Sequence, residues 1–316
     1  MLYIKNITEG AHATISLHRS KYKFLIVKHF HLEKMKTIDS LNISLLSHVK
    51  AECMLSKLLI HERVLKCIDS KATLKNAYLI TDFCEMGDLF ELTSKCNNFI
   101  SLPIVHDICM DIGSALQFIH EKGIIHKDLK LENILVSSWC NQDRLSYKLC
   151  DFGLSCLDMS IKYNHPFEDF EIENEEYKNE IETLKKRYNS ISGTYAYMSP
   201  EMVNFKNKEF TYSTLTDVWG FGVCIFNLLR CLDEKVTGRF KYFFLEDYTK
   251  GMEHFFSNLE NANEKIIQMI NNIYVIKSTD YQRLLPKMLD VNQNTRISIS
   301  KFNREITLEN VFFKKI

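Results

Sequence analysis

The stretch Ile124-Ile125-His126-Lys127-Asp128-Leu129-Lys130-Leu131-Glu132-Asn133-Ile134-Leu135-Val136 decides how the chain is read. An apolar, strand-like entry delivers an aspartate, a lysine and an asparagine in quick succession, and a second apolar strand carries the chain away. Asp151-Phe152-Gly153 follows another short apolar approach, Tyr147 to Cys150. The residue types have a chemical logic. Carboxylate and amide oxygens are the hard ligands that Mg²⁺ prefers. A fixed aspartate can take a proton from a hydroxyl, and a neighbouring lysine can offset negative charge. A solvated turn that happens to hold His, Asp, Lys and Asn is the bland alternative. The ordered pair of motifs argues against it.

In order and spacing, the two motifs resemble the catalytic loop and the metal-binding loop of the eukaryotic serine/threonine protein kinases. That reaction, phosphoryl transfer, needs little covalent help; it needs oxygens held in line and charge neutralised. The resemblance implies an α+β, bilobal fold, with a small antiparallel sheet plus one helix and a larger, mainly helical lobe. It implies ATP and Mg²⁺ in the cleft, Asp128 as base, Lys130 against the γ-phosphate, and Asn133 and Asp151 as metal ligands.

Composition agrees with an ordinary folded domain. The 316 residues are 46% hydrophobic and 25% charged, and the formal net charge is zero. No global field points to nucleic acid or to an anionic membrane. Ten cysteines are scattered without paired metal-ligand spacing, which suits reduced thiols better than a disulfide framework. Met1 to Gly10 lacks a signal-peptide layout, and the apolar run Val218 to Leu229 is too short to span a bilayer. An intracellular location, cytoplasmic or nuclear, is the expectation.

Upstream, Leu2 to Leu17 reads as strand, turn, strand, with the turn over Thr8 to Thr14. In the family this is the glycine-rich loop over the ATP phosphates. Of its three usual glycines only Gly10 is present; Ala13 holds the third position and Thr8 departs at the first. Ile15 follows on the second strand, facing the nucleotide in the family pattern. Phe24 to Lys28 is a short apolar run, and its lysine matches the one that holds the α- and β-phosphates. Leu45 to Leu59 has helical spacing, and Glu52 is the expected ion-pair partner of Lys28. Ser56, where the family places an aliphatic side chain, predicts looser packing of that helix. Val64 to Ile68 and Ala77 to Phe83 read as strands. Thr81 would flank the adenine, Asp82 to Cys84 would be the hinge, and Asp88 would lie at the ribose. The small lobe thus covers 1–85 and the large lobe 86–316, in one domain.

Ile104 to His120 reads as a buried helix, with Ile104, Ile108, Ile112, Ala115 and Ile119 on one face and Gly123 as its cap. Residues 157–190 form an acidic insertion. Glu168 to Glu176 is strongly negative and Lys185-Lys186-Arg187 positive, and a solvated segment is the plain reading. A regulatory strip that pairs with basic sequence is the sharper one. Gly193 to Glu201 resembles the substrate-binding end of a kinase activation segment, with Ser199-Pro200-Glu201 closing it. Lys130 with Thr194 follows the serine/threonine pattern. Ser190 or Ser192 lies where an upstream kinase would act, but Lys127 stands where the family has a phosphate-gripping arginine. Weaker dependence on that phosphate is expected. Asp217 is expected on the catalytic-loop backbone, and Arg296 on Glu201. Asp88 and Glu132 suggest protein substrates basic near the target serine or threonine. The rival reading is a pseudokinase, a nucleotide-binding or scaffold module, favoured by Thr8, Ser56 and Lys127. Retention of Lys28, Glu52, Asp128, Asn133 and Asp151 argues for catalysis.

Overall fold

The computed structural model describes residues 1–32, 45–95, 100–138, 144–161, 177–188, 190–203, 212–232, 259–277 and 279–313. The first lobe is a five-stranded sheet in the order β1-β2-β3-β5-β4, all neighbours antiparallel. Its strands are β1 (Leu2–Glu9), β2 (Ala13–Arg19), β3 (Phe24–Phe30), β4 (Cys67–Ala72) and β5 (Ala77–Asp82). Alternation explains β5: Ala77, Leu79 and Thr81 are buried while their neighbours are half-buried. Helix α1 (Leu45–Leu58) packs on this sheet, and Val49 and Cys53 share a small core with Phe30, Ala77 and Leu79. β1 is an edge strand with every residue exposed.

Val64 to Ile68 does not form the strand the sequence predicts. The ladder begins only at Cys67, because the backbone just before it pairs with the other lobe. Leu149 N donates to Arg63 O at 2.9 Å and Leu65 N to Leu149 O at 2.8 Å. Val64 makes a lone parallel bridge to Leu149.

The second lobe is built on α3 (Leu102–Glu121), whose residues from Val105 to Ile119 run through the main core. Ser101 caps it, with Oγ accepting from the Ile104 amide, and Pro103 fits the first turn, where no intrahelical N–H is needed. Gly123 ends it in the left-handed region (φ +66°), as its position in the sequence predicts. Ile108, Ile112, Ala115 and Ile119 are fully buried, whereas Ile104 is only half-buried and Val105 takes the inner position. By length and composition alone α3 could cross a membrane, but half of that window is covered inside the fold. Around it lie α2 (Leu89–Lys95), α6 (Thr214–Cys231), α7 (Leu259–Asn271), α8 (Asp280–Met288) and α9 (Ile299–Phe313). Two short ribbons, β6 (Ile124–Ile125) with β9 (Cys156–Leu157) and β7 (Ile134–Ser138) with β8 (Leu145–Leu149), frame the cleft. Helices α4 (Lys178–Tyr188) and α5 (Pro200–Val203) belong to the segment between β9 and α6.

A buried ionic cluster joins the lobes behind the cleft. Asp111 of α3, 2% exposed, accepts from Arg63 at 3.0 Å, Arg144 at 2.9 Å and the Tyr147 amide at 3.1 Å. Arg63 also reaches Ser146 Oγ at 3.0 Å. Removing one partner of such a pair strands the other charge without water. Asp111→Ala is therefore expected to lower stability by about 3–5 kcal/mol, read from urea denaturation midpoints at unchanged slope. A loss below about 1 kcal/mol would show that the cluster does not hold the lobes.

Candidate active site

β6 and β7 deliver the chain into and out of residues 126–133, and one carboxylate gives that loop its shape. Asp217, at the start of α6 and 1% exposed, accepts from the amides of His126 at 2.8 Å and Lys127 at 2.9 Å. His120 Nε2 donates to it as well, at 2.9 Å. Lys127 is thereby held at φ +69°, a left-handed conformation that costs a non-glycine residue about 1–2 kcal/mol. His126 is buried, donating from Nε2 to Cys150 O at 3.0 Å and accepting the Asp128 amide at Nδ1 at 3.3 Å. It ties the catalytic-loop segment to the strand that leads to Asp151.

Asp128 sits at the centre of a donor cluster. Its Oδ2 accepts from Lys130 Nζ at 2.8 Å and Asn133 Nδ2 at 3.2 Å. Its Oδ1 accepts from Thr194 N at 2.8 Å and Thr194 Oγ1 at 2.7 Å. Lys130 Nζ also donates to Thr194 Oγ1 at 2.8 Å, closing a three-residue ring. Gly193 makes this approach possible. Its φ of +133° disfavours any side chain, and a Cβ there would lie 2.7 Å from Lys127 O. Asn133 donates to Asp128 O at 2.7 Å, so its amide nitrogen is spent and its oxygen is the atom left for a ligand.

On the other wall, Lys28 Nζ lies 2.7 Å from Glu52 Oε1 and 3.2 Å from Asp151 Oδ1. Burial works against the Lys28 charge, but the two carboxylates outweigh it and hold its pKa well above the usual lysine value. Burial would likewise raise the Asp151 carboxyl; Lys28 and the Gly153 amide reverse the sign and leave it below its ordinary value. Glu52 goes the other way, because its burial is too deep for Lys28 to offset in full. Asp151 adopts φ +66°, and it and Lys127 are the non-glycine residues with positive φ among those described. Both flank the loop, which is where such strain is tolerated for function. Phe152 is buried in the main core with its ring 5.3 Å from that of His126. Ser56 is buried too, in the same helix whose Glu52 pairs with Lys28.

The remaining predicted residues have the following local partners. Ile15 pairs in register with Lys28. The β1–β2 turn is tighter than predicted, with Gly10 N donating to Ala13 O at 2.9 Å. A Cβ on Gly10 would meet only an ordinary contact of 3.5 Å, so the local fold does not demand a glycine there. Asp82 at the end of β5 gives its amide to Lys66 O and its carboxylate to Lys23. Cys84 is buried. Asp88 Oδ1 accepts the Glu91 amide at 2.8 Å, so it works as the N-terminal cap of α2. Glu132 is half-buried, and its Oε2 has no hydrogen-bond partner among the described residues.

Glu201 grips Arg296 through two bonds of 2.7 and 2.9 Å, as predicted. The fully buried guanidinium also caps Leu215 O and Asp290 O and lies 5.1 Å over the Trp219 ring. The acidic run Glu168 to Glu176 lies outside the described residues. The segment after it is not the solvated stretch its charges predict, since residues 178–188 form α4 and bury Ile181, Leu184 and Tyr188. The signal was present: these apolar residues recur at helical spacing beneath the charges. Within the basic cluster Arg187 is 2% exposed, a position that sequence reasoning missed.

The described residues thus bring together a paired lysine and glutamate, the lysine also reaching Asp151, and an aspartate–lysine–threonine ring held by Asn133. The chain belongs to the protein kinase domain family, whose model matches residues 3–306. It is 25% identical over 284 residues to CBL-interacting serine/threonine-protein kinase 2 of Arabidopsis thaliana, covering 89% of this chain and 50% of the relative. It is 27% identical over 233 residues to the serine/threonine/tyrosine-protein kinase HT1 of the same plant, covering 73% and 51%. With serine/threonine-protein kinase 33 of Bos taurus it is 29% identical over 206 residues, covering 64% and 37%. The chain spans about half the length of the first curated relatives it matches.

The Lys28–Glu52 pair gives a direct test. Glu52→Gln removes the charge that turns Lys28 toward the cleft, and it is expected to weaken Mg·ATP binding by about tenfold, or about 1.4 kcal/mol. A titration followed by thermal shift reads this, with unliganded stability of the variant as the reference. Unchanged affinity would separate the pair from nucleotide binding.

Proposed function

We propose that the chain is an ATP-dependent serine/threonine protein kinase, transferring the γ-phosphoryl group of Mg·ATP to hydroxyls of protein substrates. One observation carries this reading: the Lys28–Glu52–Asp151 linkage and the Asp128–Lys130–Thr194 ring are both assembled, and their segments are joined where Cys150 N donates to Asn133 O at 3.0 Å. A scaffold with no chemistry to perform has no need of both.

The donor set suits Mg²⁺. Asp151 presents a carboxylate that Lys28 keeps at low pKa, and Asn133 presents an amide oxygen whose nitrogen is already fixed. A hard ion that keeps waters and phosphate oxygens as its other ligands needs no more from a protein. When bound, it would neutralise charge on the phosphates. Lys28 would hold the α- and β-phosphates, with Gly10, Ala13 and Ile15 above the nucleotide and the Asp82 to Cys84 backbone along the adenine. Asp128 would orient the substrate hydroxyl and receive its proton as oxygen bonds to the γ-phosphorus and the bond to the β-phosphate oxygen breaks. Lys130, bridging Asp128 and Thr194, would offset charge on the moving group. That ring supports serine and threonine as acceptors.

The substrate preference follows from Glu132. Burial raises its carboxyl above the ordinary value, and Asp88 and Asp128 add to this by repulsion. A cationic side chain on the substrate would offset the repulsion from Asp88 and Asp128, which supports basic residues near the target. Intracellular placement, cytoplasmic or nuclear, rests on the scattered thiols; the eight described cysteines are all free.

The activity is measured as labelled phosphate passed from Mg·ATP to a basic Ser/Thr peptide pool. Asp128→Asn is expected to reduce kcat by about 10²–10⁴-fold. Nucleotide binding without transfer under all conditions would move the reading to a pseudokinase. In a peptide array, Glu132→Gln is expected to raise KM for arginine-containing peptides by about tenfold with kcat held. Equal use of basic and neutral peptides by the parent chain would remove the substrate preference.

A further inference from the structure

The activation segment contains a helix whose place in the fold its charged sequence does not announce. α4 packs directly against α1, the helix that carries Glu52. Ile181 and Leu184 are fully buried in the main core, together with Ala51, Met54 and Leu55 of α1. At its first turn Glu180 lies 3.8 Å from Lys50. At its last turn Arg187 spends three of its five N–H groups on neighbours. Nε donates to His48 Nδ1 at 3.0 Å, Nη2 to His48 O at 2.9 Å and Nη1 to Ser155 O at 3.1 Å. His48 stands one helical turn before Glu52, on the same face of α1. Burial, reinforced by the Arg187 charge, lowers the His48 imidazole to about 4, so at neutral pH the ring can accept this bond.

The same helix end is tied to the catalytic loop. Lys127 Nζ donates to Arg187 O at 2.8 Å and Ser190 O at 2.7 Å, and lies 4.4 Å over the Tyr212 ring. Cations belong at helix C-termini, where carbonyls lack partners. Ser190 Oγ donates to Arg187 O at 2.8 Å, and Tyr212 OH to Ser190 O at 3.0 Å. Tyr188 closes the arrangement by donating to Tyr212 O at 2.7 Å. A continuous path therefore runs from Lys127, beside the base Asp128, through Arg187 to His48 and on to Glu52. The link is made by a guanidinium and backbone carbonyls. A phosphate on Ser190 would displace the Ser190 hydroxyl bond and compete for an ammonium already shared between two carbonyls.

We propose that Arg187 is a positioning residue: through His48 it holds α1, and so the Lys28–Glu52 pair, in the closed arrangement without a phosphate on the segment. Lys127 fixes Arg187 from below by capping α4. This rests on the kinase reading for its functional consequence, but the mechanical link can be measured by itself.

The test uses the whole chain, treated with phosphatase and verified phosphate-free by mass spectrometry. Two readouts are taken: steady-state kinetics with Mg·ATP and peptide, and amide hydrogen exchange. Arg187→Ala is expected to speed exchange across residues 49–56 by about tenfold while α3 and α6 keep parent rates. In kinetics, kcat/KM for ATP should fall by about 30-fold with peptide KM unchanged, a split that general destabilisation would not produce. Arg187→Lys, which keeps charge but loses the fork to His48, should recover only part of this. Should Arg187→Ala fail to fold, His48→Ala breaks the ring contact from the α1 side and should raise the same exchange by about threefold. Phosphate-free parent and Ser190→Ala should stay within about twofold of untreated parent in activity.

Parent-like exchange in residues 49–56 of Arg187→Ala, or of His48→Ala where that variant is the one read, would overturn the proposal. So would a tenfold loss of parental activity on phosphatase treatment, mirrored by Ser190→Ala. A parent with no transfer in any form would refute the kinase reading, and exchange would still decide the clamp: faster in the variants upholds it, unchanged sinks it.

Discussion

The carboxylate of Asp217 is the contact on which the site depends. It is nearly inaccessible to water, and it has three N–H donors: two consecutive backbone amides and one imidazole. Two adjacent amides can point at one carboxylate only if the backbone between them turns sharply, which is why Lys127 takes a left-handed conformation. That turn brings Asp128 to Lys130 and Thr194, and Lys127 to the carbonyls of Arg187 and Ser190. Without the carboxylate, the amides would be buried without partners, at a cost of about 1–3 kcal/mol each. α6 can come this close because Gly220 has no side chain; a Cβ there would sit 3.2 Å from Leu129 O. The helix thus supplies an electrostatic anchor and the steric room for it.

From this anchor, charge is distributed so that each buried ion faces a partner on a different element. Lys28 on β3 joins Glu52 on α1 to Asp151 after β8. Arg63 and Arg144 meet on Asp111 of α3. Arg296 locks Glu201, at the end of the activation segment, to the loop before α9. Such pairs are weak evidence for stability, because desolvation offsets much of the attraction. Their physical merit here is specificity: each one joins segments distant in sequence, and a misplaced segment would leave a bare charge. The small lobe has a modest core of its own, so these cross-links do much to define how it meets the large lobe.

Where the sequence reading and the structure agree, the chemistry is local. A run from Ile124 to Val136 sets strand, loop and strand by its own apolar pattern, and the functional side chains sit at fixed offsets within it. The α3 face was legible for the same reason, since one helical period orders Ile108, Ile112, Ala115 and Ile119. Where the two differ, a distant partner intervened. Val64 left its expected strand because its neighbours Arg63 and Leu65 pair with the backbone of Leu149. Ser56 predicts a loosened helix, yet it is buried, in a helix that packs against α4.

By itself the sequence determined the fold class, most of the elements and their order. Those follow from periodicity and from spacing along the chain, both one-dimensional quantities. Only the tertiary structure decided which cations are spent and on what. Lys127 and Arg187 read as surface charges in a basic stretch or as a phosphate grip. Burial instead turned one into a helix cap and the other into a strut against α1. The reason is that a charge inside a protein is defined by the groups that replace its water, and those come from wherever the chain folds back.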